Sequence, residues 1–481
     1  MRRRAAALLV ACTACTPQPA PRSTATPGPK FSGPPHARGG CRYDVRVANG
    51  SLAKLEVELS CERRTLPRLR STSPAVARVV EVLGSDGAPL SPHDGAWSPG
   101  NDVKSVRYRV DLEALAAAGD DFDLALRIGD SLIAPGSSFL LEPVPLPVGA
   151  TMTVAVTPAP GAGFASALDQ HGAEWRLEAQ EIHVATYSVF GRFTKTTLEL
   201  PGRSGAGSSS LDVVVLDAPL ALSRPELDGF IGESARAVAD FWHGFPLERA
   251  MIAVMPVAKR NGIVFGKLLP ASRPGIALML GAETRAGSLH DDWVLVHELF
   301  HIGSPSFLGE GKWLDEGIAT YFEPIIRARA GWLSERRLWE ELAPHMPEGL
   351  PGLQEEGLEH ASSYRSIYWG GASVALFADV AAREKSGGKL GLEDGFRAVL
   401  GRGGTACEVW DLADTIDTVD QTLGGPILGE LAKRYAYAAA PVDFDALWRD
   451  LGVELRSGKV TLSDSAPKAW VRKAILRGAA P

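Results

Sequence analysis

The chain has 481 residues, of which 45% are hydrophobic and 22% are charged, and it includes 51 glycines and 34 prolines. This composition is typical of globular proteins, and the length predicts two or three domains with sizeable cores. A formal net charge of −7, with no basic stripe along the chain, argues against a nucleic-acid-binding surface. No apolar run beyond the N-terminus reaches the length of a membrane-spanning helix.

The N-terminus has the pattern of a bacterial export signal. Three arginines precede a short apolar stretch, Ala5 to Ala11, which is the order of charge and hydrophobicity in a signal peptide. Leu9 to Cys12 resembles a lipobox, in which Cys12 would be lipidated; Cys15 is a weaker alternative, and a plain secretory signal is another. We therefore predict a signal peptide over residues 1–15 and a place in the bacterial cell envelope, periplasmic or at the cell surface. The lipid would anchor the protein to the membrane, and without it the protein would be secreted.

The next segment contains almost no large apolar residues. Residues 16–40 are rich in proline, serine, threonine and glycine, which predicts a disordered tether. Cys41 and Cys61 flank two strand-like runs, and an oxidising compartment would allow them to pair. We predict a disulfide between these two cysteines and a buried thiol at Cys407.

Residues 41–217 carry the signals of strands, which are alternating apolar and polar residues separated by Gly, Pro, Asn and Asp. This pattern predicts an antiparallel β-sandwich. We find no residue constellation with obvious chemistry in it. The predicted strands are Tyr43–Val47, Leu55–Leu59, Val76–Leu83, Val106–Leu112, Leu124–Ile128, Met152–Val156, Thr196–Leu200 and Leu211–Leu216.

The pattern changes at Ser223, which is followed by a proline and an amphipathic helix to about His243. Buried strands are predicted at Ala250–Pro256 and Gly275–Leu280, and then a helix from about Leu289 to Ile302. The remainder is predicted to be mainly helical, so the fold class is α+β. The further helices are Lys312–Phe322, Leu333–Leu342, Ser366–Arg383, Glu393–Leu400, Cys407–Ala413, Pro426–Tyr437, Phe444–Leu451 and Ala469–Leu476, with a small strand at Lys459–Leu462.

An HExxH motif, from His297 to His301, lies in the middle of this second half. Two histidines four residues apart on a helix share one face, so both imidazoles can point at one metal ion. Glu298, beside the first histidine, can then reach a water on that metal. This arrangement is typical of zinc-dependent hydrolases.

A catalytic zinc site uses three protein ligands and keeps one position open. Glu316, fifteen residues after His301, is the best candidate for the third ligand, because the gap suits a loop and the start of a second helix. Glu310, Asp315 and Glu323 are the alternatives. Asp315 is better suited to orienting a ligand than to binding the metal itself.

Two segments downstream carry a family resemblance. Trp313–Ala319 resembles the WLNEGFA segment of the gluzincins, whose glutamate is the third zinc ligand; this implies that Glu316 has that role. Ser366–Ser373 resembles the stretch of the same family whose tyrosine stabilises the oxyanion. That implies Tyr368 in this role, with Tyr364 one turn earlier as its rival and His360 continuing the same face.

The order of a β-rich front half and this second half is similar to the glycyl aminopeptidase family and, more distantly, to aminopeptidase N. The resemblance implies a gluzincin, thermolysin-like catalytic domain with a small sheet over residues 218–402. A helical C-terminal part would follow over residues 403–481.

The chain departs from these aminopeptidases in one segment. They carry a glutamate on an edge strand upstream of the motif, and it holds the free amino group of the substrate. Residues 257–281 contain no acidic residue here, and they include four cations: Lys259, Arg260, Lys267 and Arg273. Such a strip would repel an ammonium group, so the choice between aminopeptidase and endopeptidase stays open.

Together these features predict a metallopeptidase with one Zn²⁺ per chain, held by His297, His301 and Glu316. A zinc-activated water would hydrolyse peptide bonds of a peptide or protein substrate, with Glu298 as general base. The alternative is a non-catalytic lipoprotein that keeps the gluzincin fold as a binding module. Hydrolysis of a non-peptide ester or epoxide is a third interpretation.

Overall fold

A computed structural model describes residues 40–478 except 63–67, 101–102, 120, 122, 146–149, 185, 204–206, 270–272 and 457–458. The predicted signal peptide, Cys12 and the predicted tether as far as residue 39 lie outside the described residues. Within the part that is described, no helix has both the length and the apolar character needed to cross a membrane.

The front part of the chain, residues 40–191, consists mainly of strands because apolar and polar residues alternate along its longer segments. In Cys41–Val47, for example, every second residue is buried. The strands are β1 (Cys41–Val47), β2 (Lys54–Cys61), β3 (Arg68–Arg70), β4 (Val80–Leu83), β5 (Pro89–Leu90), β6 (Ala96–Trp97), β7 (Ser105–Asp111), β8 (Leu126–Ile128), β9 (Ser131–Pro135), β10 (Glu142–Val144), β11 (Thr151–Thr157), β12 (Gly163–Ser166), β13 (Asp169–His171), β14 (Glu174–Glu178) and β15 (Tyr187–Gly191); the short helices α1 (Pro74–Ala77) and α2 (Leu112–Ala117) interrupt them.

These strands form three sheets. Their strand orders are β13-β14-β11-β1-β2-β7-β4-β5, β12-β15-β9-β8 and β10-β3-β6. Buried residues of all three sheets share one core, as a layered β-domain requires. The central strands β1 and β11 pair in parallel, so the prediction of a purely antiparallel sandwich is wrong at this pair.

Cys41 and Cys61 face each other on the antiparallel neighbours β1 and β2. They form a disulfide, which ties the start of the described chain to the end of β2. Cys407 lies outside this bridge, and burial raises the pKa of its thiol to about 11. This thiol therefore stays protonated and unreactive at neutral pH.

A second sheet system begins at residue 193. Its strands are β16 (Phe193–Pro201), β17 (Ser208–Leu216), β18 (Arg249–Val257), β19 (Ile263–Leu269) and β20 (Gly275–Gly281), in the order β16-β17-β18-β20-β19. The three middle strands are parallel, and β16 and β19 are antiparallel edges. The predicted domain boundary at residue 217 therefore cuts this sheet, because β16 and β17 belong to it.

Helix α3 (Arg224–Trp242) connects β17 to β18. It begins at Ser223, whose side chain accepts the N–H of Glu226, while the Glu226 carboxylate accepts the backbone N–H of Ser223. This capping box satisfies two N–H groups that the first helical turn leaves without partners. The helix therefore starts where the serine and proline predict.

The five-stranded sheet is covered on both faces. One face and helix α3 share a continuous core with the whole C-terminal half. The opposite face packs against the four-stranded front sheet, through residues such as Ile133 and Tyr187 on one side and Met251 and Ala277 on the other. The front part therefore lies directly against the sheet whose edge strand is β19.

The C-terminal half is helical, and its core is continuous across the predicted boundary at residues 402 and 403. The helices are α4 (Val294–His301), α5 (Lys312–Arg329), α6 (Glu335–Leu342), α7 (Tyr364–Ser386), α8 (Leu392–Gly401), α9 (Leu412–Thr422), α10 (Ile427–Tyr435), α11 (Phe444–Leu451) and α12 (Ala469–Arg477), and a hairpin of β21 (Val453–Arg456) and β22 (Lys459–Leu462) precedes the last one.

Helices α5 and α7 cross at glycines. A side chain on Gly317 would collide with the backbone of Gly371, and a side chain on Gly371 would collide with the carbonyl of Trp313. The two helix backbones can approach this closely only because both residues lack a Cβ atom. This contact sets Glu316 on α5 beside Tyr368 on α7.

Candidate metal centre

Helix α4 carries the HExxH motif and is held by buried apolar residues on its inner side. Leu295, Val296, Leu299 and Phe300 are all at most 1% exposed. At the start of the helix, Oδ1 of Asp292 accepts the N–H of Val294 at 2.9 Å. His297 and His301 lie one turn apart and are also buried, so their orientation is fixed by packing.

Three potential ligand atoms converge at this point. Nε2 of His297 lies 3.2 Å from Nε2 of His301, and Oε2 of Glu316 lies 3.3 and 3.6 Å from these two nitrogens. Ligands at 2.0–2.1 Å from a tetrahedral zinc ion are separated by about 3.3 Å. The donor set and its spacing therefore fit zinc. Within the described residues, no other group of three or more His, Cys, Asp or Glu side chains converges in this way.

The other acids considered for the third ligand lie elsewhere. Glu323 is buried and bonded to Nε of Arg327 at 2.7 Å, and Glu310 is exposed in the loop before α5. Oδ1 of Asp315 lies 3.0 Å from Nδ1 of His301. A carboxylate at this nitrogen fixes the ring so that Nε2 keeps its lone pair for the metal.

The acids around the histidines change the pKa values of the groups in the site. Burial alone would lower the pKa of His301, but Asp315 and Glu316 outweigh it and hold that pKa well above its ordinary value. Burial acts to raise the pKa of Glu316, yet its hydrogen bonds with His297 and His301 bring that pKa well below its usual range. Without a metal, His301 and Glu316 therefore hold each other in their charged forms, and a divalent cation that binds here would take the place of the proton on His301.

Glu298 is positioned by the edge strand β19. Its Oε2 accepts the backbone N–H of Leu268 at 2.6 Å, and a Cβ atom on Gly266 would lie 2.9 Å from Cγ of Glu298. At the other end of the strand, Asp292 accepts the N–H of Ile263 at 3.0 Å. Burial raises the pKa of Glu298, while His297 and His301 oppose that shift. These contacts were not predicted, although a glycine inside a strand indicates a close approach.

Tyr368 is the tyrosine next to the ligands. Its ring is parallel to that of His297, with centroids 5.9 Å apart, and its hydroxyl hydrogen-bonds Glu316. Tyr364 stacks on the outer side of Tyr368 at 3.8 Å, and His360 is exposed. Burial, with the charge of Glu316, raises the pKa of Tyr368, so its hydroxyl remains a hydrogen-bond donor.

The four cations of residues 257–281 do not form one strip. Lys259 and Arg260 are exposed in the turn between β18 and β19. Arg273 pairs with Asp169 at 3.3 Å, and Lys267 pairs with Asp123 of the front part at 2.7 Å. The predicted strip is therefore partly neutralised, because acids of the front part pair with two of its four cations.

Comparison of the sequence with protein-family models and with curated proteins found no match. Two of the solved structures that resemble this fold are informative. One is an aminopeptidase N family protein from Idiomarina loihiensis, with a TM-score of 0.65 and 14% identity over 86% of this chain and 79% of that one. The other is a variant of a two-domain M1 zinc metallopeptidase bound to L-arginine, with a TM-score of 0.50 and 14% identity over 84% of this chain and 94% of that one. At this identity the likeness establishes the fold, and it confirms the predicted α+β class.

Proposed function

We propose that this protein is a zinc-dependent peptidase that hydrolyses peptide bonds outside the cytoplasm. The observation that carries the proposal is the convergence of His297, His301 and Glu316 at distances that suit zinc. Glu298 lies beside them and is not part of this convergent set, which leaves its carboxylate for proton transfer. The fold shared with zinc metallopeptidases supports the same conclusion.

Each residue has a physical role in this proposal. Zinc held by the three ligands would supply Lewis-acid chemistry and make water nucleophilic at neutral pH. Glu298, fixed by Leu268, takes the proton of the attacking water and delivers it to the departing amine. Tyr368 donates its hydroxyl hydrogen to the oxygen that gains negative charge. Asp315 keeps His301 in the orientation and tautomer that a metal ligand needs.

The test is digestion of a broad peptide library, read by mass spectrometry, with zinc content measured on the same samples. Wild type should cleave, and Glu298→Gln should keep its zinc and lose about 10²–10⁴-fold of the rate, as removal of a general base does. Glu310→Gln, at an exposed glutamate of the neighbouring loop, is the control and should cleave like wild type. A zinc-loaded wild type that cleaves no peptide would reject the proposal, and capture of one protein partner by it would indicate a binding module.

For the location, we propose a lipid anchor at Cys12. The charged and apolar N-terminal residues support it, and the disulfide between Cys41 and Cys61 suits an oxidising compartment. The full chain expressed in a bacterium should incorporate labelled palmitate, and Cys12→Ser should not. Equal labelling of the two proteins would reject Cys12 as the anchor.

A further inference from the structure

The carboxylates around the metal centre have different interaction partners. Glu316 faces the two histidines, Asp315 contacts His301, and Glu298 accepts a backbone N–H of the edge strand. The edge-strand segment itself, residues 257–281, has no acidic residue. Among the described residues of the front part, Asp123 places its carboxylate on this strand, at Lys267. A carboxylate of this kind pairs readily with an ammonium group.

Lys267 already forms an ion pair with Asp123. Side chains alternate along β19, so Gly266 and Leu268 face the motif helix while Lys267 points to the front part. Its Nζ lies 2.7 Å from both carboxylate oxygens of Asp123. The backbone N–H of Asp123 donates to Oδ1 of Asp121 at 3.0 Å.

This ion pair lies close to the proposed general base. Lys267 precedes Leu268, whose N–H is bonded to Glu298. Burial raises the pKa of the Tyr187 phenol, and the charges of Asp123 and Glu298 add to that shift. The front part therefore brings the carboxylate of Asp123 to the strand whose Leu268 holds Glu298.

We propose that the Lys267 ammonium occupies the anionic position where the free amino group of a substrate would otherwise bind. The substrates are then peptides cut at internal bonds, or peptides whose amino ends are blocked. This inference rests on the proposed peptidase function and specifies its substrate class. A peptide whose first residue adjoins the cleaved bond brings a second ammonium toward Lys267, and like charges at an interface disfavour binding. An internal residue places a neutral amide there instead.

The pair need not be strong to have this effect. Lys267 and Asp123 have side chains that are 36% and 44% exposed, so their contribution to stability is small. Lys267 is held by its own strand, however, and a tethered group competes at an effective concentration of the order of mM. Replacing it by a neutral side chain both frees Asp123 and removes the repulsion.

The test uses pairs of peptides that are identical except that one has a free and one an acetylated amino end, and it follows cleavage after the first residue. Wild type should prefer the acetylated peptide. Lys267→Met should lower that preference by about tenfold. Adding Asp123→Asn to it should bring the preference only part of the way back, because the freed carboxylate is then gone while the repulsion by Lys267 is still absent. The matched control is Lys195→Met on β16, because Lys195 is 35% exposed and its Nζ lies 2.9 Å from Asp212; it should keep the wild-type preference.

Dissociation constants of the same peptides, measured with Glu298→Gln proteins that do not cleave them, separate this inference from the proposed function. If wild type hydrolyses neither peptide, the peptidase proposal fails, while the ratio of the two dissociation constants still tests the role of Lys267. The inference would be overturned if wild type cleaved both peptides equally well. It would also be overturned if Lys267→Met left the ratio of the two dissociation constants unchanged.

Discussion

The carboxylate of Glu298 accepts the backbone N–H of Leu268, with 2.6 Å between Oε2 and the nitrogen. The motif helix and the edge strand of the five-stranded sheet are therefore joined at the residue proposed as general base. The strand can come this close because position 266 is a glycine. The geometry of the proton-transfer group thus depends on the sheet as well as on the HExxH helix.

Gly266→Ala should displace Glu298 without removing a metal ligand. The added methyl group would lie 2.7 Å from Val294 and 2.9 Å from Glu298, so one of these side chains must move. A shift of about 1 Å at a catalytic group lowers the rate by about 10²-fold. We expect that loss in kcat/KM with unchanged zinc content. Gly229→Ala on α3, where an added Cβ meets nothing within 4 Å, should remain active.

Asp315→Ala should weaken zinc binding, because His301 then loses the carboxylate that orients its ring. Loss of such a partner lowers metal affinity by about 10–100-fold. Competition with a chelator of known zinc affinity measures this change directly. Glu310→Ala, five residues earlier and exposed, is the control; an affinity equal to wild type in both variants would show that Asp315 does not act on the ligand.

Two tyrosine variants decide which hydroxyl stabilises the oxyanion. Tyr368→Phe should lower kcat by about 10²–10³-fold, as loss of one oxyanion donor does, because its ring lies next to His297. Tyr364→Phe removes a hydroxyl from the outer ring of the stack and should change kcat by only a few fold. The reverse order of effects, at full zinc content, would assign the role to Tyr364.

Glu323 should make the free energy of unfolding depend on pH. Burial raises its pKa from 4.5 to about 7, although Arg327 opposes the shift, and Glu341 and Asp292 add to it. The folded chain therefore binds this proton more tightly than the unfolded chain. The contribution of Glu323 to the free energy of unfolding is fully present below pH 4.5 and is lost as the pH rises through 7. The loss is at most about 3 kcal/mol.

Urea unfolding at pH 5 and pH 8, with zinc removed from both proteins by a chelator, checks this prediction. Wild type should lose more unfolding free energy between the two pH values than Glu323→Gln does, because glutamine does not titrate. Parallel losses in the two proteins would show that Glu323 has an ordinary pKa.

Local patterns were sufficient for much of the fold and for the convergence of His297, His301 and Glu316. The spacing of His297 and His301 is set by one helical turn, and Glu316 follows on the next helix, so the group can be recognised within twenty residues. The helix at Phe444–Leu451 was also predicted with its observed ends. The helix predicted at Cys407–Ala413 is wrong, because Asp411 caps a helix that begins only at Leu412.

Contacts between distant segments could not be predicted in this way. The parallel pairing of β1 with β11 and the assignment of β16 and β17 to the second sheet depend on strands far apart in the chain. The bond between Lys267 and Asp123 joins residues 144 positions apart. Asp123 lies in a segment without any motif, so its position at Lys267 of β19 becomes visible only when the front sheet packs on the five-stranded sheet.

Zinc stoichiometry of the purified chain, measured by elemental mass spectrometry together with peptide hydrolysis, tests the central claim most directly. Wild type should hold about one zinc ion, lose hydrolysis when a chelator removes it and regain hydrolysis when zinc returns. Glu316→Gln should bind zinc much more weakly and Glu310→Gln as wild type does. A wild-type chain that holds no zinc at neutral pH, or a Glu316→Gln chain that holds and uses it as well as wild type, would contradict this account.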